Sequence, residues 1–254
     1  MQCVFHQGEV VLITGAAGDL GQAMARAFSD AGARLVLIDL AADPLAARCR
    51  DTGLPSETVL LQAADVTQPE QIQAAVDAAV ARWGRIDVAV NNAAILTPLA
   101  RAADLPLADW RRALDVDLTG AFIVAQACLA HMLPARRGVI LNIASQLGHV
   151  TTPQRAAYSA AKAGLISLTR SLALDYAPDG IRAVSLSPGA IATGRLTRAY
   201  GSLAAAEAAL APGYPAGRLG TPDEIAQAAV FLASDAAAFV CGTDLVMDGG
   251  YTVQ

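Results

Sequence analysis

Lysine is almost missing from this chain. Of its 18 basic residues, Lys162 is the one lysine, and asparagine occurs three times, as Asn91, Asn92 and Asn142. Basic residues are outnumbered by 23 acidic ones, for a net charge of −5. That balance argues against nucleic-acid binding, which needs clustered positive charge. Cysteine is sparse. Cys3, Cys49, Cys128 and Cys241 lie far apart with neither CxxC nor metal-ligand spacing. They read as reduced thiols of a cytoplasmic protein without a metal site. Long apolar runs are lacking too. The stretch at 121–130 is broken by Gln126 and followed by His131, short of the ~18 residues that suggest a membrane span. The first six residues show no basic segment leading into an apolar one, so no signal peptide is expected. No linker, repeat or low-complexity boundary divides residues 1–254, which are expected to form one domain.

What the chain has in quantity is apolar mass. Hydrophobic residues make up 54% and alanine alone accounts for 57 positions, which excludes intrinsic disorder. Short runs rich in branched residues alternate with long Ala/Leu-rich stretches. The strands are predicted at 10–14, 34–38, 58–62, 86–90, 138–143, 181–187 and 245–247. Helices are predicted at 21–31, 44–51, 69–83, 107–133, 155–176 and 222–233. Pro44, Pro69 and Pro222 mark first helical turns, and Thr221 supplies a cap ahead of Pro222. Near-continuous apolar strands separated by helices predict an α/β fold. It is a doubly wound parallel sheet of about seven strands, with helices on both faces and ligands at the carboxyl ends of the strands. The segment 192–217, with a helix of its own near 203–210, is expected to be a lid over the substrate.

Thr14-Gly-Ala-Ala-Gly-Asp-Leu-Gly21 directly follows the first strand and opens the first helix. Gly15, Gly18 and Gly21 let backbone approach a pyrophosphate at a helix N-terminus, so the domain reads as a dinucleotide-binding Rossmann fold. Asp39 ends the second strand, 18 residues after Gly21. A carboxylate there binds ribose hydroxyls and repels a 2′-phosphate. Neither Ala16, Ala17 nor Leu40 offers a compensating cation, so NAD is expected rather than NADP. Asp19 would repel the pyrophosphate if aimed at it. Its side chain is expected to point away and cap backbone.

Tyr158 and Lys162 stand four residues apart on one helix face. A phenol needs a neighbouring cation to be useful as a base, because the positive charge stabilises the phenolate. Ser145 lies 13 residues earlier, at the end of the fifth strand. That the sole lysine falls beside this tyrosine points to catalysis rather than to a solvated helix face.

With these residues in place, the chain resembles the short-chain dehydrogenase/reductase family over nearly its whole length. The glycine turn, Asp39, Asp65-Val66, Asn91-Asn-Ala-Ala94, Asn142-Ile-Ala-Ser145, Tyr158–Lys162, Pro188-Gly189 with Thr193, and Asp248-Gly-Gly occur in the family's order. The resemblance implies that Tyr158 is the general base or acid, that Ser145 holds the substrate oxygen, and that Lys162 binds the nicotinamide ribose and favours the phenolate. It places Leu20 and Leu40 with the cofactor, Asp65 and Val66 at the adenine, Asn92 and Ala93 beside the glycine turn, and Pro188, Gly189, Ile191 and Thr193 at the carboxamide. Asp117 falls where the family carries a catalytic asparagine. That asparagine holds a water on the lysine's path to solvent, chiefly through the backbone carbonyl of a distorted helix. Aspartate keeps the backbone group but loses the amide donors.

In the loop after the site serine, Gln146, His149, Gln154 and Arg155 are candidate substrate contacts, and Pro153-Gln154 looks like loops of polyol and sugar dehydrogenases. His6 reads as a surface residue. Together these features predict NAD-dependent oxidation of a secondary alcohol, a polyol, sugar or sugar acid. The alternative is a non-catalytic NAD-binding sensor with Asp117 marking an impaired site. The family resemblance also implies a homotetramer built on the helices at 107–133 and 155–176, with no nucleic-acid or membrane partner.

Overall fold

The computed structural model describes residues 8–95 and 97–254. The readings made for Cys3 and His6 lie outside the described residues. The seven apolar runs form seven strands: β1 (Val10–Thr14), β2 (Arg34–Asp39), β3 (Val59–Ala63), β4 (Val88–Asn91), β5 (Gly138–Ile143), β6 (Ile181–Pro188) and β7 (Asp244–Met247). All are parallel, in the order β3-β2-β1-β4-β5-β6-β7.

Both faces of the sheet are covered at its centre, while the edge strands β3 and β7 are partly exposed. In β1, Val10, Val11, Leu12 and Ile13 are all fully buried. Val11 and Ile13 join one core with Met24 and Phe28 of α1 (Asp19–Asp30), Leu45 of α2 (Ala42–Asp51) and Ile225 of α9 (Pro222–Ala233). Val10 and Leu12 join the other core, with Ile72 of α3 (Pro69–Trp83), Val124 of α5 (Gly120–Ala135) and Leu172 of α6 (Ala156–Tyr176). Successive strand residues point to opposite faces, so a strand covered on both sides must be apolar throughout. Each large side chain buried this way contributes about 1.5–3 kcal/mol. At the start of α9, the Thr221 hydroxyl accepts the Glu224 N–H while the Glu224 carboxylate accepts the Thr221 N–H, a reciprocal cap.

The long helix expected at 107–133 is interrupted. α4 (Leu107–Leu114) passes into a wide π-type turn at Asp115–Thr119 before α5 resumes. By length and composition, 107–135 is long and apolar enough to cross a membrane. Half of its apolar window is buried inside the fold, where it packs on α3 and α6. The segment 192–217 carries α7 (Gly194–Tyr200) and α8 (Leu203–Leu210). Strand order reverses between β1 and β4, which opens a crevice at their carboxyl ends.

Candidate active site

That crevice is a cleft of about 1770 Å³. Its floor is the turn between β1 and α1, whose shape depends on two glycines. Gly15 has φ +65°, and a Cβ on it would lie 2.8 Å from the Ala93 Cα. A Cβ on Gly21 would lie 2.4 Å from the Gly15 carbonyl oxygen. Asn92 braces the turn from β4, its side-chain amide donating to the carbonyls of Thr14 at 2.9 Å and Gly15 at 3.1 Å. Gly18, Leu20, Asp39, Leu40, Asp65, Val66 and Ala93 line the same cleft. Asp39 accepts the N–H groups of Ala17 and Leu40, each at 2.8 Å. This carboxylate therefore sits where β2 ends and helps shape the turn. The bare backbone, the helix N-terminus and the acid form a cradle that fits a dinucleotide.

At the far side of the cleft, α6 presents Tyr158 and Lys162 one turn apart. The Lys162 ammonium lies 5.7 Å from the centre of the Tyr158 ring. Lys162 is buried and donates to the Ile143 carbonyl at 3.0 Å, at the end of β5. Ser145, two residues beyond β5, lines the cleft with them, and its hydroxyl accepts the Leu147 N–H at 3.2 Å. Pro188, Gly189, Ile191 and Thr193 complete this wall.

Residues 15–252 match the model of a family described as enoyl-(acyl carrier protein) reductase. A cis-4-hydroxycyclohexanecarboxylate dehydrogenase of Sinomonas cyclohexanicum is 43% identical over 245 residues, covering 96% of each chain. An NAD-dependent glycerol dehydrogenase of Listeria innocua is 36% identical over 97% of this chain and 94% of its own. A short-chain type dehydrogenase/reductase from Mycobacterium marinum superposes with a TM-score of 0.90 at 35% identity. It covers 98% of this chain and 97% of that one. The chain belongs to the short-chain dehydrogenase/reductase family.

For an oxidoreductase of this family, whose chemistry uses a nicotinamide cofactor, the environment of Asp117 is unusual. Asp117 is buried in the π-type turn, and its Oδ1 accepts the Ile95 N–H at 2.9 Å. Its Oδ2 has no hydrogen-bond partner among the described residues and lies 3.9 Å from the Lys162 ammonium. Burial pushes this carboxyl above the ordinary carboxylate range. Lys162, the Ile95 N–H and Arg195 pull the other way. The side chain stands behind Lys162 and is not part of the cleft wall.

The three asparagines turn out to be structural. The Asn91 side chain donates to the Ala121 carbonyl and to Asn142 Oδ1, and Asn142 donates to Thr169 Oγ1. This buried chain ties β4 and β5 to α5 and α6 directly behind the site. Asp19 caps backbone, as expected, but the backbone is that of α7: it accepts the Gly194 N–H at 2.6 Å and an Arg48 N–H at 2.5 Å.

The substrate loop divides. Gln146 and Arg155 line the cleft; His149 and Gln154 do not. His149 instead pairs with Asp244 on β7 at 2.7 Å, and Gln154 is exposed in a left-handed conformation with φ +67°. Several cleft residues had no part in the sequence reading, three of them with telling contacts or positions. Arg48 reaches the cofactor side from α2. Tyr214 is buried, and its hydroxyl accepts N–H groups from Gln146 at 2.9 Å and Ala190 at 3.0 Å. Arg195 on α7 places its guanidinium 5.8 Å from the centre of the Tyr158 ring. The scarcity of aromatics gave a faint signal for Tyr214; nothing local marks Arg195 among so many arginines.

Proposed function

We propose that this short-chain dehydrogenase/reductase is an NAD-dependent dehydrogenase. It moves a hydride between the nicotinamide and a secondary alcohol or ketone of the polyol, sugar or sugar-acid type. The observation that carries the reading is the placement of Tyr158. Its ring is flanked by the Lys162 ammonium at 5.7 Å, in the wall of the cleft whose floor is the glycine turn.

Bound in this cleft, a nicotinamide would supply the hydride chemistry at the carbinol carbon. The chain's own groups move the proton and hold the substrate. Tyr158 takes the alcohol proton in oxidation and gives it back in reduction. Ser145 holds the reacting oxygen. Lys162, fixed by the Ile143 carbonyl, stabilises the charged phenol and binds the cofactor ribose. The π-type turn at Asp117 sets the path from Lys162 towards solvent, and Asp117 tunes the charge along it. Asp39 binds the adenosine ribose and selects NAD, in keeping with the NAD-dependent relative. Segment 192–217 acts as a lid over the substrate.

The exposed apolar residues Phe122 on α5 and Leu174 on α6 support pairing of these helices in a homotetramer, which we place in the cytoplasm. The test is an activity screen with NAD against polyols, aldoses and aldonic acids, followed by nicotinamide absorbance. Tight NAD binding with no turnover on any alcohol would favour the sensor reading instead.

A further inference from the structure

We propose that the substrate carries a carboxylate and that Arg195 binds it, so that the enzyme acts on hydroxy acids in preference to neutral polyols. This rests on the reading of Tyr158 as the proton-transferring residue and narrows the substrate class.

Arg195 is the second residue of α7 and is half-buried in the cleft wall. Its position is fixed from two sides. The preceding residue, Gly194, is tied to Asp19 at 2.6 Å, and the Arg195 side chain itself donates to the Ile95 carbonyl at 3.2 Å. The guanidinium so held lies 5.8 Å from the Tyr158 ring centre. A small substrate with its hydroxyl on Tyr158 therefore brings its remaining atoms within reach of Arg195.

Where the fold uses an arginine for its own cohesion, it commonly supplies a carboxylate. Arg48 has Asp19, Arg85 has Asp87, and Arg218 has Glu224. Among the described residues Arg195 has no such partner. Asp117 is close enough to feel its charge but stands behind Lys162, bonded to the Ile95 N–H. A guanidinium has five N–H donors, and one of them is engaged by the Ile95 carbonyl. Closing the cleft over the others without an acceptor is costly. A planar carboxylate accepts two of them in parallel, a geometry that a neutral hydroxyl cannot match. Arg155, three residues before Tyr158 and thus one helical turn away, also faces the cleft. No ion pair or side-chain hydrogen bond is formed by it among the described residues. Arg155 thus adds a second cation to the same cleft wall, which also includes Arg111, Arg112 and Arg198, but among the described residues only Arg195 has its guanidinium placed against the Tyr158 ring.

The experiment compares 4-hydroxycyclohexanecarboxylate with its primary amide as substrates, using NAD, in wild type, Arg195→Met and Arg195→Lys. Calorimetric titration of cyclohexanecarboxylate onto each protein saturated with NADH gives a second readout that needs no turnover. Wild type should prefer the acid over the amide at least about tenfold in kcat/KM, the scale of a charge-assisted hydrogen bond. Arg195→Met should collapse that ratio through a raised KM for the acid and weaken cyclohexanecarboxylate binding about tenfold or more. Arg195→Lys should fall between. An unchanged ratio together with unchanged affinity overturns the proposal. So does a loss shared equally by acid and amide with a raised KM for NAD, which assigns the guanidinium to the cofactor diphosphate. Arg195-dependent carboxylate binding without turnover of any alcohol keeps the carboxylate site at Arg195 but sinks the dehydrogenase reading and, with it, the substrate preference. Turnover without carboxylate dependence does the reverse.

Discussion

Asp19, at the first position of α1, accepts the backbone N–H of Gly194, the first residue of α7, across 175 positions of sequence. Its other oxygen takes an N–H from Arg48. The charge that threatened to repel a diphosphate is thereby spent on an arginine and on the N-terminus of another helix. It also joins the turn between β1 and α1 to the segment 192–217. Asp19→Ala should loosen α7 locally, with locally opened forms rising about tenfold for the loss of a charge-assisted bond. Limited trypsin digestion reads this as faster cleavage after Arg195 and Arg198, with little change in global unfolding. Unchanged digestion would mean that other contacts hold α7.

Gly21→Ala should destabilise the fold by about 1–3 kcal/mol, the usual cost of overpacking, because its Cβ would meet the Gly15 carbonyl at 2.4 Å. The contact is with backbone, so nothing flexible can yield. Urea unfolding gives the stability change, and NADH fluorescence titration should show a parallel loss of affinity. A variant with native stability and affinity would show that the turn has slack.

Asp39 predicts at least a tenfold kinetic preference for NAD over NADP, equivalent to about 1.4 kcal/mol of repulsion. Arg48 lines the same cleft but is paired with Asp19, so the preference is expected to hold while that pair is intact. Equal kcat/KM with both cofactors would refute the assignment.

Tyr158→Phe should abolish turnover while leaving NAD binding nearly intact, because only the hydroxyl is removed. Stopped-flow or steady-state assays retaining more than about a tenth of the wild-type rate would assign proton transfer to another group.

Asp117→Asn should retain activity and move the pH–rate profile for alcohol oxidation to lower pH, since a negative charge near the reacting phenol is removed. Stability carries a second signature. Burial raises the Asp117 carboxyl in the folded state, so wild type loses stability as pH rises from the ordinary carboxylate value of about 3.9 through the folded one. The difference in melting midpoint between Asp117→Asn and wild type should therefore shift in favour of the variant over that window and stay level above it. A flat difference across the window would mean that the buried carboxyl does not titrate there. Complete loss of activity would mean that the carboxylate is itself part of the proton path.

The sheet was legible because its inner strands are buried on both faces and so read as apolar runs, while the partly exposed edge strands β3 and β7 still carry short apolar runs. All seven strands and the helices at 69–83 and 222–233 fall within a residue or two of their predicted bounds. The cofactor turn and the Tyr158–Lys162 pair were legible because their chemistry needs fixed local spacing. The π-type turn at Asp115–Thr119 left no mark in the apolar pattern, since one extra residue per turn barely changes it; only the family resemblance pointed to a distorted helix at Asp117. Loop polarity singles out His149 but does not reveal direction; in the fold its ring pairs with Asp244, 95 residues away. Arg195 and Tyr214 reach the cleft through the path of segment 192–217, and no window of neighbouring residues encodes that path.

The burial of the single lysine reaches beyond the reaction. Every other basic side chain of fixed charge is a guanidinium, and Lys162 is only 2% exposed. The surface thus offers no side-chain amine to acetylating, methylating or ubiquitin-conjugating enzymes, which act on lysine. Amine-directed dyes and cross-linkers would find no side chain to couple to on the folded protein and would leave the catalytic machinery unlabelled. Reaction at Lys162 would then report, one event per molecule, that the fold had opened.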